Sequence, residues 1–146
     1  MFVVDTNILV YAADADSAFQ APCKNLLETW AAQSSAWYLT WGIVYEFLSV
    51  TTHPGVFRVA WPLAQSWRFI ASLLACGSLG FLIPTERHAA VAADVFREIP
   101  HLRGRLLHDA ETAILMREHG IRRIYTRDTH FHRFPFIEPI DPLARA

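Results

Sequence analysis

Phe2-Val3-Val4-Asp5-Thr6-Asn7-Ile8-Leu9-Val10-Tyr11 opens the chain with an apolar run that stops abruptly at an acid. Aromatic and β-branched residues without alternation suit a strand buried on both faces. Thr6-Asn7 then offers cap chemistry, and Ile8-Leu9-Val10-Tyr11 predicts a short helix. A buried strand that passes straight into a helix is the building unit of a parallel sheet covered by helices.

Downstream the same alternation continues. Leu26, Leu27, Trp30 and Ala31 carry helical spacing between Pro22 and Ala32. Residues 36–39 predict a strand, and Thr40 caps a helix from Trp41 to about Val50 that His53-Pro54-Gly55 ends. Pro62 suits the first turn of a helix running through Trp67, Ile70, Leu73 and Leu74 to Gly77. Phe81–Ile83 reads as a strand, and Thr85 as the cap of a helix reaching Glu98. Leu107–His119 reads as a further helix with Gly120 just past its end. Arg123–Tyr125 is a fourth strand candidate and Phe136-Ile137 a weak fifth. The pattern predicts an α/β fold, a three-layer α/β/α domain with a central parallel sheet, and one domain over residues 1–146. In such sheets, sites lie beyond the carboxyl ends of the strands where the strand order reverses.

Bulk composition bounds the function. With 53% hydrophobic and 18% charged residues, the chain is a folded domain rather than a disordered one. Its 5 Trp and 10 Phe exceed what polar surface demands, so either a dense core or a covered partner face is implied. A net charge of -1 gives no bulk support to nucleic-acid binding. Cys23 and Cys76 fit neither a disulfide framework nor a zinc site. Residues 69–84 are too short and too interrupted by Gly77, Ser78 and Gly80 to span a bilayer. No secretory leader pattern opens the chain, and a cytoplasmic, membrane-free protein is expected.

Four acids then stand out. Asp5 follows the first strand and either faces the crevice or caps the next helix. Glu46 sits in an otherwise apolar helix; it either serves a site or faces solvent beside Ser49. Asp109 opens a helix, where an acid also favours the helix dipole. Asp128 follows the fourth strand, where an Asx turn is equally natural. If all four converge, two carboxylates about 4 Å apart repel by roughly 4 kcal/mol at an effective dielectric near 20. Protonation or a divalent cation must relieve that repulsion. Oxygen ligands suit Mg²⁺ or Mn²⁺ rather than zinc.

In their order these residues resemble the PIN-domain family. The first motif is Val3-Val4-Asp5-Thr6-Asn7-Ile8-Leu9-Val10-Tyr11-Ala12 and the second Ile43-Val44-Tyr45-Glu46-Phe47-Leu48. The third is His108-Asp109-Ala110-Glu111-Thr112-Ala113, and the last Thr126-Arg127-Asp128-Thr129-His130-Phe131. A closing segment from Phe134 to Pro142 is similar to family tails. As a lone domain of this length the chain looks like a VapC-type toxin ribonuclease. The resemblance implies RNA cleavage with Mg²⁺ or Mn²⁺, a homodimer and a cognate antitoxin as partner. It also implies Asp5, Glu46, Asp109 and Asp128 as the catalytic metal ligands, with Thr6 and Asn7 shaping the first motif and Thr126 supplying a hydroxyl. Two departures touch the acids: His130 occupies a place where many relatives carry another acid, and Arg127 beside Asp128 is positioned to compete with a cation; the Trp-rich middle from His53 to Ile83 also carries no motif of the family.

Other features divide between function and ordinary structure. Arg97, Arg103, Arg105 and His108, with Arg122, Arg123, Arg127, His130, His132 and Arg133, either grip RNA phosphates or form a solvated surface. His130 and His132 show no set of metal partners in the sequence. Trp37, Trp41, Trp61 and Trp67 either stack bases or fill the core. One rival function is a phosphohydrolase similar to haloacid-dehalogenase enzymes, which need a second Asp where Asn7 stands. Another is a catalytically silent PIN-like protein-binding module.

Overall fold

The computed structural model describes residues 1–144. Five parallel strands form one sheet: β1 (Val3–Val4), β2 (Trp37–Thr40), β3 (Leu79–Leu82), β4 (Arg123–Tyr125) and β5 (Glu138–Ile140), in the order β3-β2-β1-β4-β5. Six helices flank it: α1 (Thr6–Ala13), α2 (Gln20–Ala32), α3 (Trp41–Thr52), α4 (Leu63–Leu74), α5 (His88–Glu98) and α6 (Leu106–Glu118). The expected three-layer α/β/α architecture with a central parallel sheet is the one observed.

The chain builds outward from β1 to β3 on one side, then returns to add β4 and β5 on the other. Strand order therefore reverses between β1 and β4. Val3 pairs with Ile124 and Val4 with Tyr125, and the Asp5 N–H donates to the Tyr125 carbonyl at 3.0 Å. That register sets Asp5 and Thr126 side by side at the carboxyl edge of the two central strands. Val3, Val4, Trp37, Leu39 and Ile124 are fully enclosed by the helical layers, which is why the strand segments read as continuous apolar runs.

Several boundaries differ from the sequence expectation, each for a tertiary reason. β3 begins at Leu79, two residues before Phe81, so Gly80 lies inside the strand. A Cβ there would meet the Tyr38 ring at 2.8 Å, so Gly80 serves close strand approach rather than a turn. The fifth strand is Glu138–Ile140 instead of Phe136-Ile137. Its Pro139 sits on the sheet edge, where a missing N–H is tolerated. α1 starts at Thr6, capped by Asp5, and α4 stops at Leu74, short of Gly77. Gly120 holds φ +70° just beyond α6, as expected for a helix stop. The apolar run 69–84 divides between the end of α4 and β3, and among the described residues no helix is long and apolar enough to cross a membrane.

α5 starts at His88, three residues after Thr85, whose hydroxyl still accepts the Arg87 N–H at 3.2 Å while Thr85 also bonds Glu118. The Thr85 N–H donates to Glu118 Oε1 at 2.6 Å, its hydroxyl donates to the same oxygen, and His88 Nδ1 meets Glu118 Oε2 at 2.7 Å. Burial pushes the Glu118 carboxyl up, but these bonds outweigh it and hold the group at about 2, well below its ordinary 4.5. A depressed folded-state value means stability that is present above pH 4.5 and lost as the pH falls toward 2. Glu118→Gln is expected to cost about 1–3 kcal/mol at pH 7. Urea denaturation checks this, and the difference from the parent should shrink at pH 3.

The Trp set is mostly structural. Trp37 is fully buried and Trp61 packs against the core, whereas Trp41 stacks on Phe81 and Trp67 stands partly exposed on α4.

Candidate active site

At the reversal of strand order lies an open pocket of about 230 Å³, lined by Asp5, Thr6, Asn7, Val10, Tyr11, Glu46, Val50, Asp109 and Asp128. All four acids singled out in the sequence meet there, although they are separated by up to 123 residues along the chain. Each arrives by a different element. Asp5 ends β1, Glu46 projects from α3, Asp109 from the first turn of α6, and Asp128 stands after β4.

Asp5 is the buried centre of this arrangement. Its Oδ1 accepts the Thr6 N–H at 2.7 Å. Its Oδ2 accepts from the Thr126 hydroxyl at 2.6 Å and from Asn7 Nδ2 at 2.8 Å. Thr126 Oγ1 also accepts from Asn7 Nδ2 at 3.1 Å and from the Asp128 N–H at 2.8 Å. One hydroxyl thus fixes the first and fourth acids together. The Thr6 hydroxyl donates to Glu46 Oε2 at 2.6 Å and ties the second acid to the first motif. Asp5 and Asp128 are both helix caps, Asp128 for the short 3-10 helix Thr129–Arg133, so capping and pocket lining coexist in one residue. Glu46 is exposed at the mouth rather than held on an apolar face. Its placement comes from Thr6, not from a desolvation cost.

The electrostatics record the crowding. Burial first, with the Glu46 and Asp109 charges adding to it, pushes Asp5 up from 3.8 to about 7 against the pull of Thr126 and Thr6. Burial and the Asp128 charge push Asp109 up to about 6, against the opposing pull of His130 and His108. Carboxyls raised this far are poised to take either a proton or a cation. Oxygen donors from several acids around one open pocket fit a hard divalent ion, so the residues present suit Mg²⁺ or Mn²⁺.

The two departures resolve differently. Arg127 does not compete for the site. Its guanidinium lies over the Phe19 ring at 4.3 Å, and its Nε pairs with Asp141 at 3.2 Å. His130, by contrast, joins the acids: its Nδ1 lies 3.3 Å from Asp128 Oδ1 and 3.6 Å from Asp109 Oδ2. One ligand atom from each of these three residues falls within 4.8 Å of the others. Sequence reasoning missed this set because Asp109 is remote in the chain. The available signal was the Asp-x-His spacing across a tight turn. Of the basic residues, Arg97 pairs with Asp94 and Arg123 with Glu138.

The family model described as PIN domain matches residues 2–137. The chain belongs to the PIN-domain family. Among curated PIN-domain relatives, ribonuclease VapC48 of Mycobacterium tuberculosis is 30% identical over 146 residues, covering 96% of each chain. Ribonuclease VapC37 of the same organism is 28% identical over 144 residues, covering 99% of each. In fold, the chain is similar to a structure of VapBC2 from Rickettsia felis bound to a DNA fragment from its promoter, with TM-score 0.67 and 15% identity over 95% of this chain and 96% of that one. FitAcB from Neisseria gonorrhoeae gives TM-score 0.65 and 17% identity over 97% and 98%.

The hub role of Thr126 makes a prediction for this PIN domain. Thr126→Val removes the bond that lowers the Asp5 carboxyl and frees Asp128 from its backbone anchor. Mn²⁺ affinity, read by calorimetry at pH 7.5, is expected to fall roughly tenfold to a hundredfold, with the circular dichroism spectrum unchanged.

Proposed function

We propose that residues 1–146 form one PIN domain acting as a metal-dependent endoribonuclease, the toxin of a type II toxin–antitoxin pair that works in the cytoplasm. The observation carrying this reading is the meeting of Asp5, Glu46, Asp109 and Asp128 in one pocket at the sheet's reversal point. VapC ribonucleases as relatives over nearly the full chain support the same conclusion.

In this reading the four acids hold Mg²⁺ or Mn²⁺. When bound, such an ion supplies positive charge for a phosphodiester oxygen and makes water more acidic. Thr126 and Asn7 keep Asp5 oriented, Thr6 orients Glu46, and the Thr126 bond to the Asp128 N–H fixes the position of the fourth acid. The pocket is open, which suits a polymer passing across it. Hydrolysis leaves a 5′-phosphate and a 3′-hydroxyl.

The protein partners are a second copy and a cognate antitoxin. The solved relatives named for VapBC and FitAB support a paired protein.

The test is cleavage of end-labelled RNA by the purified chain. Cleavage is expected with Mg²⁺ or Mn²⁺ and none in excess EDTA; undiminished cleavage in EDTA would refute the reading. The haloacid-dehalogenase alternative is disfavoured by Asn7, an amide that cannot serve as the second acid and whose Nδ2 donates to Asp5 and Thr126. Hydrolysis of p-nitrophenyl phosphate in place of RNA would revive it.

A further inference from the structure

His130 is the one residue of the cluster that is not a carboxylate, and its position follows from the local chain. Asp128 caps the 3-10 helix by accepting the His130 N–H at 2.8 Å, which holds the His130 backbone against the fourth acid. From there the ring reaches to Asp109 on α6, so Nδ1 faces carboxylate oxygens from two separate elements at 3.3 and 3.6 Å. Among the described residues this nitrogen makes neither contact with hydrogen-bond geometry. Two donors in adjacent positions of an octahedral ion with bonds of about 2.1 Å lie about 3 Å apart. The two His130 separations are slightly longer, and one ligand atom from each of the three residues lies within 4.8 Å of the others, so closure around an ion can bring the donors to that spacing. The ring is half exposed and stands beside Asp109 and Asp128, which line the pocket.

An imidazole in place of an oxygen donor changes which ion is preferred. Mg²⁺ is hard and retains oxygen ligands, whereas first-row transition ions accept nitrogen with affinity rising from Mn²⁺ onward. We propose that His130 Nδ1 is a direct ligand of the catalytic cation and biases this pocket toward Mn²⁺ and later transition ions over Mg²⁺. The inference rests on the ribonuclease reading above and goes beyond it by naming the donor that sets ion choice. It also fixes the ring's protonation: a ligating Nδ1 requires the proton on Nε2.

The test uses the full chain freed of metal and loaded with Mn²⁺. Pulsed electron paramagnetic resonance is expected to show ¹⁴N modulation from a bound imidazole, absent in His130→Ala. Competition calorimetry is expected to show the Mn²⁺-to-Mg²⁺ affinity ratio falling roughly tenfold in His130→Ala, and falling likewise in His130→Asp, whose oxygen donor suits Mg²⁺. Mn²⁺ binding without ¹⁴N modulation would overturn the assignment and leave the ribonuclease reading standing. So would modulation surviving in His130→Ala, which would assign the signal to another imidazole such as His108. An equal rise in affinity for both ions in His130→Ala would also overturn it, since the ring would then be a competing cation. Failure of the parent to bind either ion would bring down both readings together.

Discussion

Asp109→Asn is expected to abolish RNA cleavage and, in the metal-free protein, to raise the melting temperature. The first half follows from charge. Asp109 lies between Asp128 and Glu46, with His130 at 3.6 Å, and shares the pocket with Asp5. A neutral amide there removes a charged oxygen donor from the proposed ion site. Losing about 4 kcal/mol of transition-state stabilisation lowers the rate by about three orders of magnitude. The second half follows from the same crowding with the sign reversed. The Asp109 carboxyl stands at about 6 in the fold against 3.8 unfolded. A raised acid contributes stability below pH 4 and loses it as the pH rises through 6, so at pH 8 the ionised group strains the empty pocket. Removing it should return roughly 2 kcal/mol once partial exposure is allowed for, or about 5 °C for a chain of this length. The two readouts separate function from ordinary structure. An acid serving only the α6 dipole would leave cleavage within tenfold of the parent and would lower the melting temperature on replacement.

Such a trade between stability and function also explains which parts of the site were legible in the sequence. Asp5 was readable because an acid directly after an unbroken apolar run must emerge at a sheet edge. Asp128 was readable for the same reason after Arg123–Tyr125. The choice between cap and crevice was a false one, since each of these acids caps a helix and lines the pocket. Glu46 does line the pocket, but the argument offered for it fails: the residue is exposed, and Thr6, forty residues away, holds it in place.

Features that depend on long-range pairing were not legible. Arg127 reads as a threat to a cation because Asp128 is adjacent, yet Phe19 and Asp141 hold it elsewhere. His130 shows no partners until α6 brings Asp109 beside the turn after β4. β5 lies two residues later than the Phe136-Ile137 expectation, and its Pro139 is tolerable only because the strand sits at the sheet edge. α5 begins at His88 although Thr85 accepts the Arg87 N–H as a cap would, and Glu118 adds partners for its N–H and hydroxyl that the local sequence does not show. In each case local chemistry was sound and a partner distant in the chain outweighed it.

Cation binding should displace protons, and its strength should therefore fall steeply as the solution is acidified. Asp5 and Asp109 stand at about 7 and about 6 without metal. Above pH 8 both are ionised and an ion enters without proton exchange. Between pH 7 and 6 Asp5 must release its proton, so apparent affinity drops about tenfold per pH unit; below pH 6 Asp109 joins, and the slope approaches a hundredfold per unit. Calorimetry in two buffers of different ionisation enthalpy should count between one and two protons released per ion at pH 6. Stability must follow the same linkage. The empty fold loses stability as the pH climbs from 4 through 7, because two raised carboxyls are forced to ionise. An ion at a hundred times its dissociation constant restores about 2.7 kcal/mol at pH 8. At pH 5 the same ion concentration restores almost nothing, since protons already do the neutralising. Melting curves with and without Mn²⁺ at the two pH values therefore suffice. If the shift is equal at both, or no protons are released, the acids are not competing for one cation.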